Sequence, residues 1–282
     1  MDLGLRADDR VLVFGASGWF GRELRALIGL TDQAPNLLWV PGPSTGSVPD
    51  DSQVEDFRPS VVVNFAALTR ERVEAEGEEA FTATNQYLAS RFHRHAQVSS
   101  VRLAVTVSSG AAVIDSDHAY GRLKAAEEEM ALQLGDGGRT VVVIRAYSVS
   151  GGYVRRPRDY AFSDFILQAA QGHVHVSANS PVYRRYCSVR DVLTVALRSG
   201  GNGRSGLFET GGSHVEMGEL ADAIVASVNP RATVTRSSLV RSVPRSYCSD
   251  NTSWLEWTNA ANVRPAELDE QITQAAETLL GS

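Results

Sequence analysis

The stretch Val11-Leu12-Val13-Phe14-Gly15-Ala16-Ser17-Gly18-Trp19-Phe20-Gly21 decides the fold. Its first four residues are β-branched, aliphatic or aromatic and stop at Gly15, the pattern of a short, fully buried strand. From Trp19 to Ile28 the apolar residues Phe20, Leu24, Leu27 and Ile28 follow helical spacing on one face. The glycines therefore sit at a strand–helix junction, where each has its own task. Gly15 permits the tight turn, Gly18 lets a pyrophosphate approach the backbone, and Gly21 lets helix and strand pack closely. A helix N-terminus adds N–H groups and positive partial charge for phosphate. Gly15, Ser17, Gly18, Trp19, Phe20 and Gly21 are thus the candidate nucleotide cradle. The plainer alternative is a strand–helix turn without a ligand.

Outward from this junction the same grammar repeats. Leu37–Val40, Val61–Phe65, Val101–Val107 and Thr140–Arg145 read as strands, and Glu78–Ala96 and Ala119–Leu134 as helices. Alternation of this kind implies right-handed crossovers and a mainly parallel sheet covered on both faces. The expected fold is α/β: a Rossmann-type doubly wound parallel sheet over residues 1–150, with a smaller C-terminal α/β lobe over 151–282. Later helical patterns fall at Asp159–Gln171, Val192–Arg198, Glu216–Val228 and Ala266–Leu280. The cleft between the lobes is the default site. The second strand runs into Val40-Pro41-Gly42-Pro43-Ser44-Thr45, with neither an acid to grip a ribose 2′-hydroxyl nor an arginine for a 2′-phosphate. NAD and NADP both stay open.

Composition narrows the function classes. The chain has 282 residues, 43% hydrophobic and 21% charged, enough to build a core and inconsistent with wholesale disorder. Lys and Arg number 27 against 33 Asp and Glu, and the net charge of −6 argues against a nucleic-acid partner. Cys187 and Cys248, the only cysteines, have no zinc-like or CxxC spacing, so no metal site is expected and a reducing cytoplasm fits. Acids in the first ten residues do not suit a signal peptide. No apolar run approaches the ~20 residues that span a bilayer, so no membrane partner is expected.

Tyr120-Gly121-Arg122-Leu123-Lys124 opens the helix after the Val101–Val107 strand. Positions i and i+4 share a helix face, so Lys124 can lie beside the Tyr120 hydroxyl. An ammonium there favours the phenolate and makes the phenol a usable proton donor and acceptor. Ser109 follows a buried strand and can hydrogen-bond a reacting carbonyl or alcohol. Alone, a Tyr-x-x-x-Lys pair is mostly a surface coincidence. With the glycine turn upstream and the serine at a strand end, Ser109, Tyr120 and Lys124 become the candidate catalytic set.

With these motifs in place the chain resembles the extended short-chain dehydrogenases/reductases of the nucleotide-sugar epimerase/dehydratase group. The likeness runs through Val11–Gly21, Val61–Ala67, Asn85, Val107–Ser109, Tyr120–Lys124 and Arg145–Gly151, then Tyr183–Asp191 and Phe208–Leu220. It implies a nicotinamide cofactor (NAD or NADP) on the larger domain and a nucleotide-sugar substrate in the cleft. Ala66 and Ala67 would lie along the cofactor and Lys124 near its ribose. Ser109 and Tyr120 would face the sugar carbon that changes oxidation state, and Arg184 would take the substrate diphosphate; a surface ion pair is the alternative for Arg184. The activity implied is hydride transfer at a sugar carbon, as keto-sugar reduction or epimerisation. A non-catalytic nucleotide-sensing scaffold and a reductase of another small carbonyl compound are the alternatives, and a homodimer is left open.

The chain departs from that group's pattern in three places. Gly110 and Ala111 stand where 4,6-dehydratases carry an Asp-Glu pair, which disfavours dehydration. Ser109 and Tyr120 are only eleven positions apart, which shortens the substrate-facing loop. The stretch between the second strand and Val61 is abbreviated. Arg58–Thr69 is similar to dTDP-4-dehydrorhamnose reductases, which points toward keto-sugar reduction, while the segment around Arg184 is more like the epimerases. His173 and His175 are expected as exposed strand residues rather than a metal pair. His118, beside the active-site loop, is a minor candidate for substrate contact. Trp254 and Trp257 are expected to be packing residues.

Overall fold

The computed structural model describes residues 2–31, 35–40, 51–240 and 243–281. Its elements begin with β1 (Arg10–Phe14), α1 (Trp19–Ile28), β2 (Asn36–Val40), α2 (Asp51–Phe57), β3 (Val61–Asn64), α3 (Arg72–Glu76), α4 (Glu78–Ala96), β4 (Leu103–Ser109), α5 (Ala111–Ile114), α6 (Ala119–Gln133) and β5 (Thr140–Ala146). They continue with β6 (Ser148–Ser150), α7 (Ala161–Ala170), β7 (His173–Val176), β8 (Val182–Ser188), α8 (Val189–Gly201) and β9 (Gly206–Glu209). The last are β10 (Ser213–Glu216), α9 (Met217–Val228), β11 (Thr233–Arg236), β12 (Arg245–Tyr247), α10 (Thr252–Ala260) and α11 (Leu268–Leu280). Two compact units result: Met1–Ala146 with Leu193–Glu209, and Tyr147–Val192 with Thr210–Ser282.

The first unit is the doubly wound sheet. Its strand order is β2-β1-β3-β4-β5-β9, and every neighbouring pair is parallel. The near-continuous burial of Val11–Phe14, Val61–Val63, Leu103–Val105 and Val141–Ile144 is what a sheet covered on both faces requires. Leu12, Val62, Ala104 and Val143 form one core cluster with Phe92, Ala96, Ala131 and Leu134 from the helices. From β1 the chain first goes outward to β2, then returns past β1 to lay β3 on its other side. That reversal leaves a switch point between β1 and β3, with Phe14 level with Asn64 and Asn64 level with Thr106. A single boundary near residue 150 leaves out Leu193–Glu209, most of α8 and the strand β9, which belong to the first unit. β9 returns to the first unit and pairs with β5, in the register Ile144 to Phe208. Four residues of sequence do not show which sheet edge they will extend.

The second unit is organised on β8, antiparallel to β10 and parallel to β12 and β6. β7 and β11 form a separate parallel pair. Phe162, Ile166, Leu220, Ile224 and Ile272 from α7, α9 and α11 supply its core. His173 and His175 lie exposed on β7, their rings hydrogen-bonded across to Thr233, Thr235 and Ser237. Trp254 and Trp257 are buried in α10, as packing residues should be. No helix among the described residues is long and apolar enough to cross a membrane.

Glu216 ties this unit together. It caps α9 by accepting from Gly218 N–H at 2.6 Å, accepts from Val182 N–H of β8 at 3.1 Å, and receives Arg236 Nη1 and Nη2 at 2.7 Å. Burial alone would raise its pKa. The hydrogen bonds from Arg236, Val182 and Gly218 outweigh that and hold it at about 2, below the ordinary 4.5. The folded state therefore gains from this carboxylate above pH 4.5, and the gain disappears as the pH falls toward 2. Melting temperature followed between those limits should fall more steeply for the parent protein than for Glu216→Gln. Parallel curves would show that the cluster contributes no pH-dependent stability.

Candidate functional site

The carboxyl ends of β1, β3 and β4 meet at the switch point of the first unit, where open α/β sheets hold their ligands. Gly15 follows β1 with φ of +75°, a left-handed conformation that favours glycine. A Cβ there would stand 2.6 Å from Ala66 N and from Phe65 C, so the turn rests directly on the backbone after β3. Ala16 N–H donates to Val40 O at 3.0 Å, and Gly18 N–H to Gly15 O at 2.9 Å. A Cβ on Gly21 would come within 2.6 Å of Ala16 Cα, so α1 leaves the turn in close contact with it. Gly18 is the N-cap of α1. It has no side-chain cap, and the first turn holds no acid, so no carboxylate of that turn offsets the positive end of the helix. Ser17, Trp19 and Phe20 are half-buried on this turn, and the Phe20 ring lies 5.6 Å from Phe65.

The segment carrying Ala66 and Ala67 is fastened at both ends. Ala66 N–H donates to Asn64 Oδ1 at 3.1 Å. Buried Asn85 of α4 accepts from Leu68 N–H at 2.8 Å and donates to Phe81 O at 3.2 Å. Ser109 ends β4, and its Oγ accepts from Ala111 N–H at 3.2 Å at the start of α5. Gly110 and Ala111 occupy the turn itself, and Gly110 N–H donates to Ala146 O at 2.8 Å.

The short Ser109–Tyr120 connection is a tight turn around α5, and the residue that makes it fit is Gly121. A Cβ on Gly121 would lie 2.6 Å from Ala111 O and closer still to Asp115 O. That packing brings the Ser109 turn against the first turn of α6, where Tyr120 stands. His118 is the N-cap of α6, with Nδ1 accepting from Tyr120 N–H at 3.1 Å. It fixes the helix start, a role different from the substrate contact considered from sequence. The Tyr120 ring lies 6.3 Å from Phe81, and Lys124 Nζ is 5.9 Å from its centroid.

Lys124 is buried and carries a partner that the sequence reading did not name, Glu127, whose Oε2 accepts from Nζ at 2.7 Å. Burial works against the ammonium. The charges of Glu127 and then Tyr120 outweigh it, and the Lys124 pKa is raised. Behind this pair runs a second unnamed group. Glu128 accepts from Ser108 Oγ at 2.6 Å and from Arg145 Nε and Nη2 at 2.9 and 2.6 Å, while Arg145 Nη1 reaches Glu209 at 2.8 Å. The run of three glutamates was visible in sequence; which of them turns inward was not.

Arg184 belongs to the second unit. It sits in β8, half-buried, with Nη1 donating to Tyr183 O at 3.1 Å and its guanidinium 5.5 Å from the Tyr247 ring. Tyr147 lies 5.3 Å from Tyr247. Burial pushes the neighbouring Cys187 thiol well above its ordinary pKa, so it is unreactive there. The loop after β2, read from sequence for its missing acid, lies outside the described residues.

No protein-family model and no curated protein matches the chain. Solved structures do match it along nearly its whole length. A UDP-N-acetylglucosamine 4-epimerase from Methanobrevibacter ruminantium, in complex with UDP-N-acetylmuramic acid, superposes with TM-score 0.78 at 15% identity, covering 97% of this chain and 99% of that one. RMD from Pseudomonas aeruginosa, complexed with NADPH, gives 0.76 at 17%, covering 97% and 99%. The Thermus thermophilus UDP-glucose 4-epimerase, in complex with NAD, gives 0.74 at 20%, covering 96% and 99%. These likenesses establish the fold: the chain is built as these proteins are, from end to end.

Replacing Gly121 by Ala should test whether this packing assembles the site. The added methyl must push α5 from α6, and overpacking of this kind costs about 1–3 kcal/mol. Urea unfolding should show a loss in that range, whereas an unchanged midpoint would mean the Ser109 turn and α6 are not closely packed.

Proposed function

We propose that the protein is an NAD- or NADP-dependent oxidoreductase or epimerase of a nucleotide-activated sugar, working by hydride transfer at a sugar carbon. One observation carries this reading: the glycine turn, Ala66 and Ser109 stand at the ends of adjacent strands at the switch point, with Tyr120 and Lys124 on the helix packed beside them. The residues suit the dinucleotide. Glycines are required where a Cβ would fill the cradle, and the uncapped N-terminus of α1 favours a pyrophosphate. Gly15, Ser17, Gly18, Trp19, Phe20 and Gly21 would hold it, with Ala66, Ala67, Tyr120 and Lys124 along its length. When bound, the nicotinamide supplies the hydride chemistry. The structural neighbours that bind NAD, NADPH or UDP-sugars support the same assignment on this fold.

The chain's own residues then have distinct roles. Tyr120 gives its proton to the substrate oxygen in reduction and takes it from the alcohol in epimerisation. Lys124 stabilises the phenolate form. Ser109, oriented by its bond to Ala111, hydrogen-bonds the same oxygen. Arg184, next to Tyr247, takes the substrate diphosphate, to which a guanidinium is well matched. Gly110 and Ala111 leave the turn without the carboxylates that elimination of water needs, so 4-keto-6-deoxy products are not expected from UDP-N-acetylglucosamine or dTDP-glucose.

Tyr120→Phe keeps the ring and its packing on Phe81 but removes the proton carrier. Turnover on the nucleotide-sugar that best raises thermal stability should fall by about 10²–10⁴-fold, with the melting temperature kept. Near-parental turnover would end this mechanism in favour of a non-catalytic nucleotide-sensing role.

Gly18→Val tests the cradle separately. A Cβ there would lie 3.2 Å from Gly15 O, tight but not prohibitive, so the protein should fold. Calorimetry with NADH and NADPH should show weakened binding of both. Unchanged affinity would exclude the turn as the pyrophosphate site.

A further inference from the structure

The Lys124 ammonium is not alone on its helix. It donates to Glu127 Oε2 at 2.7 Å, and the two side chains are only 4% and 16% exposed. Glu128, the adjacent carboxylate, is already engaged by Arg145 and Ser108. Glu127 is therefore the group that balances Lys124. A buried cation in contact with a carboxylate acts on a third group as a dipole, which is a weaker influence than a lone positive charge.

We propose that Glu127 is a positioning residue: its carboxylate holds the Lys124 ammonium in place on α6 and sets how acidic the Tyr120 hydroxyl is. This rests on the acid–base role proposed for Tyr120 above. Of the other charged groups around α6, Glu129 is exposed to water and those facing other elements have their own partners. Glu128 and Glu209 share Arg145, Glu78 of α4 pairs with Arg122, and Asp115 after α5 pairs with Arg70. His118 Nδ1 takes the Tyr120 N–H, and Phe81 of α4 lies beside the Tyr120 ring. Loss of the Glu127 charge thus alters the balance at Lys124 before any other. In Glu127→Gln the ammonium loses the carboxylate it touches, the more distant charge of Glu128 compensates it only in part, and the Tyr120–Lys124 pair gives up its first proton at lower pH.

The experiment is a tyrosinate absorbance titration of the ligand-free protein, with the Tyr120→Phe curve subtracted to isolate Tyr120 among the eight tyrosines. Glu127→Gln should move the Tyr120 midpoint down by roughly half to one pH unit. Glu127→Asp, which keeps the charge, should bring it back toward the parent. Glu129→Gln, exposed on the same helix, should leave it in place. Because no ligand is needed, the titration reports on Glu127 even if no nucleotide-sugar is turned over, so the two readings fail separately. Where turnover is found, the limb of kcat/KM against pH that Tyr120 sets, the basic one in reduction and the acidic one in epimerisation, should move with the midpoint. An unmoved midpoint would show that the carboxylate does not act on the phenol. An upward shift would show that the ammonium is lost without Glu127, and either result overturns the proposal. Should Glu127→Gln fail to fold, the comparison of Glu127→Asp and Glu127→Ala against Glu129→Gln decides the same question.

Discussion

The ion pair between Glu128 of α6 and Arg145 of β5 is the contact on which the candidate site depends. It is a two-point contact, mostly shielded from water, and Arg145 extends it to Glu209 of β9 while Ser108 of β4 donates to the same carboxylate. Hydrogen bonds from Arg145 to Glu128 first, and then to Glu209, hold the guanidinium firmly ionised against its burial. Glu128 thus fastens α6 to β4 and β5, and Arg145 links the pair on to β9. Breaking such a pair by removing one partner leaves a buried charge unmatched, which typically costs about 3–5 kcal/mol. Tyr120 and Lys124 ride on that helix, so their position relative to the strand ends is fixed by a contact that takes no part in the chemistry.

Backbone proximity does the rest of the positioning. At Gly15, Gly21 and Gly121 a single methyl group would collide with backbone atoms of another segment. Side chains can rotate out of a clash, whereas main-chain atoms cannot, so these approaches set the turn, the strand end and the helix start in a narrow range of positions. Asn85 extends this order to Leu68, whose N–H donates to the buried amide oxygen while the amide N–H donates to Phe81 O. The result is a set of strand ends and a helix N-terminus that present polar groups from rigid elements, the arrangement that a positioned reaction needs.

The second unit solves a different problem. Its sheet is centred on β8, and the Arg184 guanidinium stands near the ring of Tyr247, with Tyr147 beyond it. Aromatic faces limit where an arginine can swing. Asp191, just past β8, accepts from Ala266 N–H, and its own N–H donates to Ser188 Oγ. It secures the chain before α11, so this acid is committed to structure.

The sequence by itself determined the parallel sheet, the strand–helix junction and the membership of the candidate site. Those features are local. Buried strands need unbroken apolar runs, turns at such junctions need glycine at set places, and a helix period puts Tyr120 and Lys124 on one face. Element bounds followed for the same reason: α1 and α4 span the residues that periodicity marked. What tertiary structure alone decided is non-local. Gly206–Glu209 is too short to show that it extends the first sheet. Gly121 looks like any helix glycine until α5 is packed against it. His118 reads as a neighbour of the active-site loop until the start of α6 makes it a cap. The glutamates at 127, 128 and 129 form one run in sequence. Both Glu127 and Glu128 lie within a helical turn of Lys124; only the fold leaves Glu127 to Lys124 and Glu129 to water, because Ser108 and Arg145, from other strands, take Glu128.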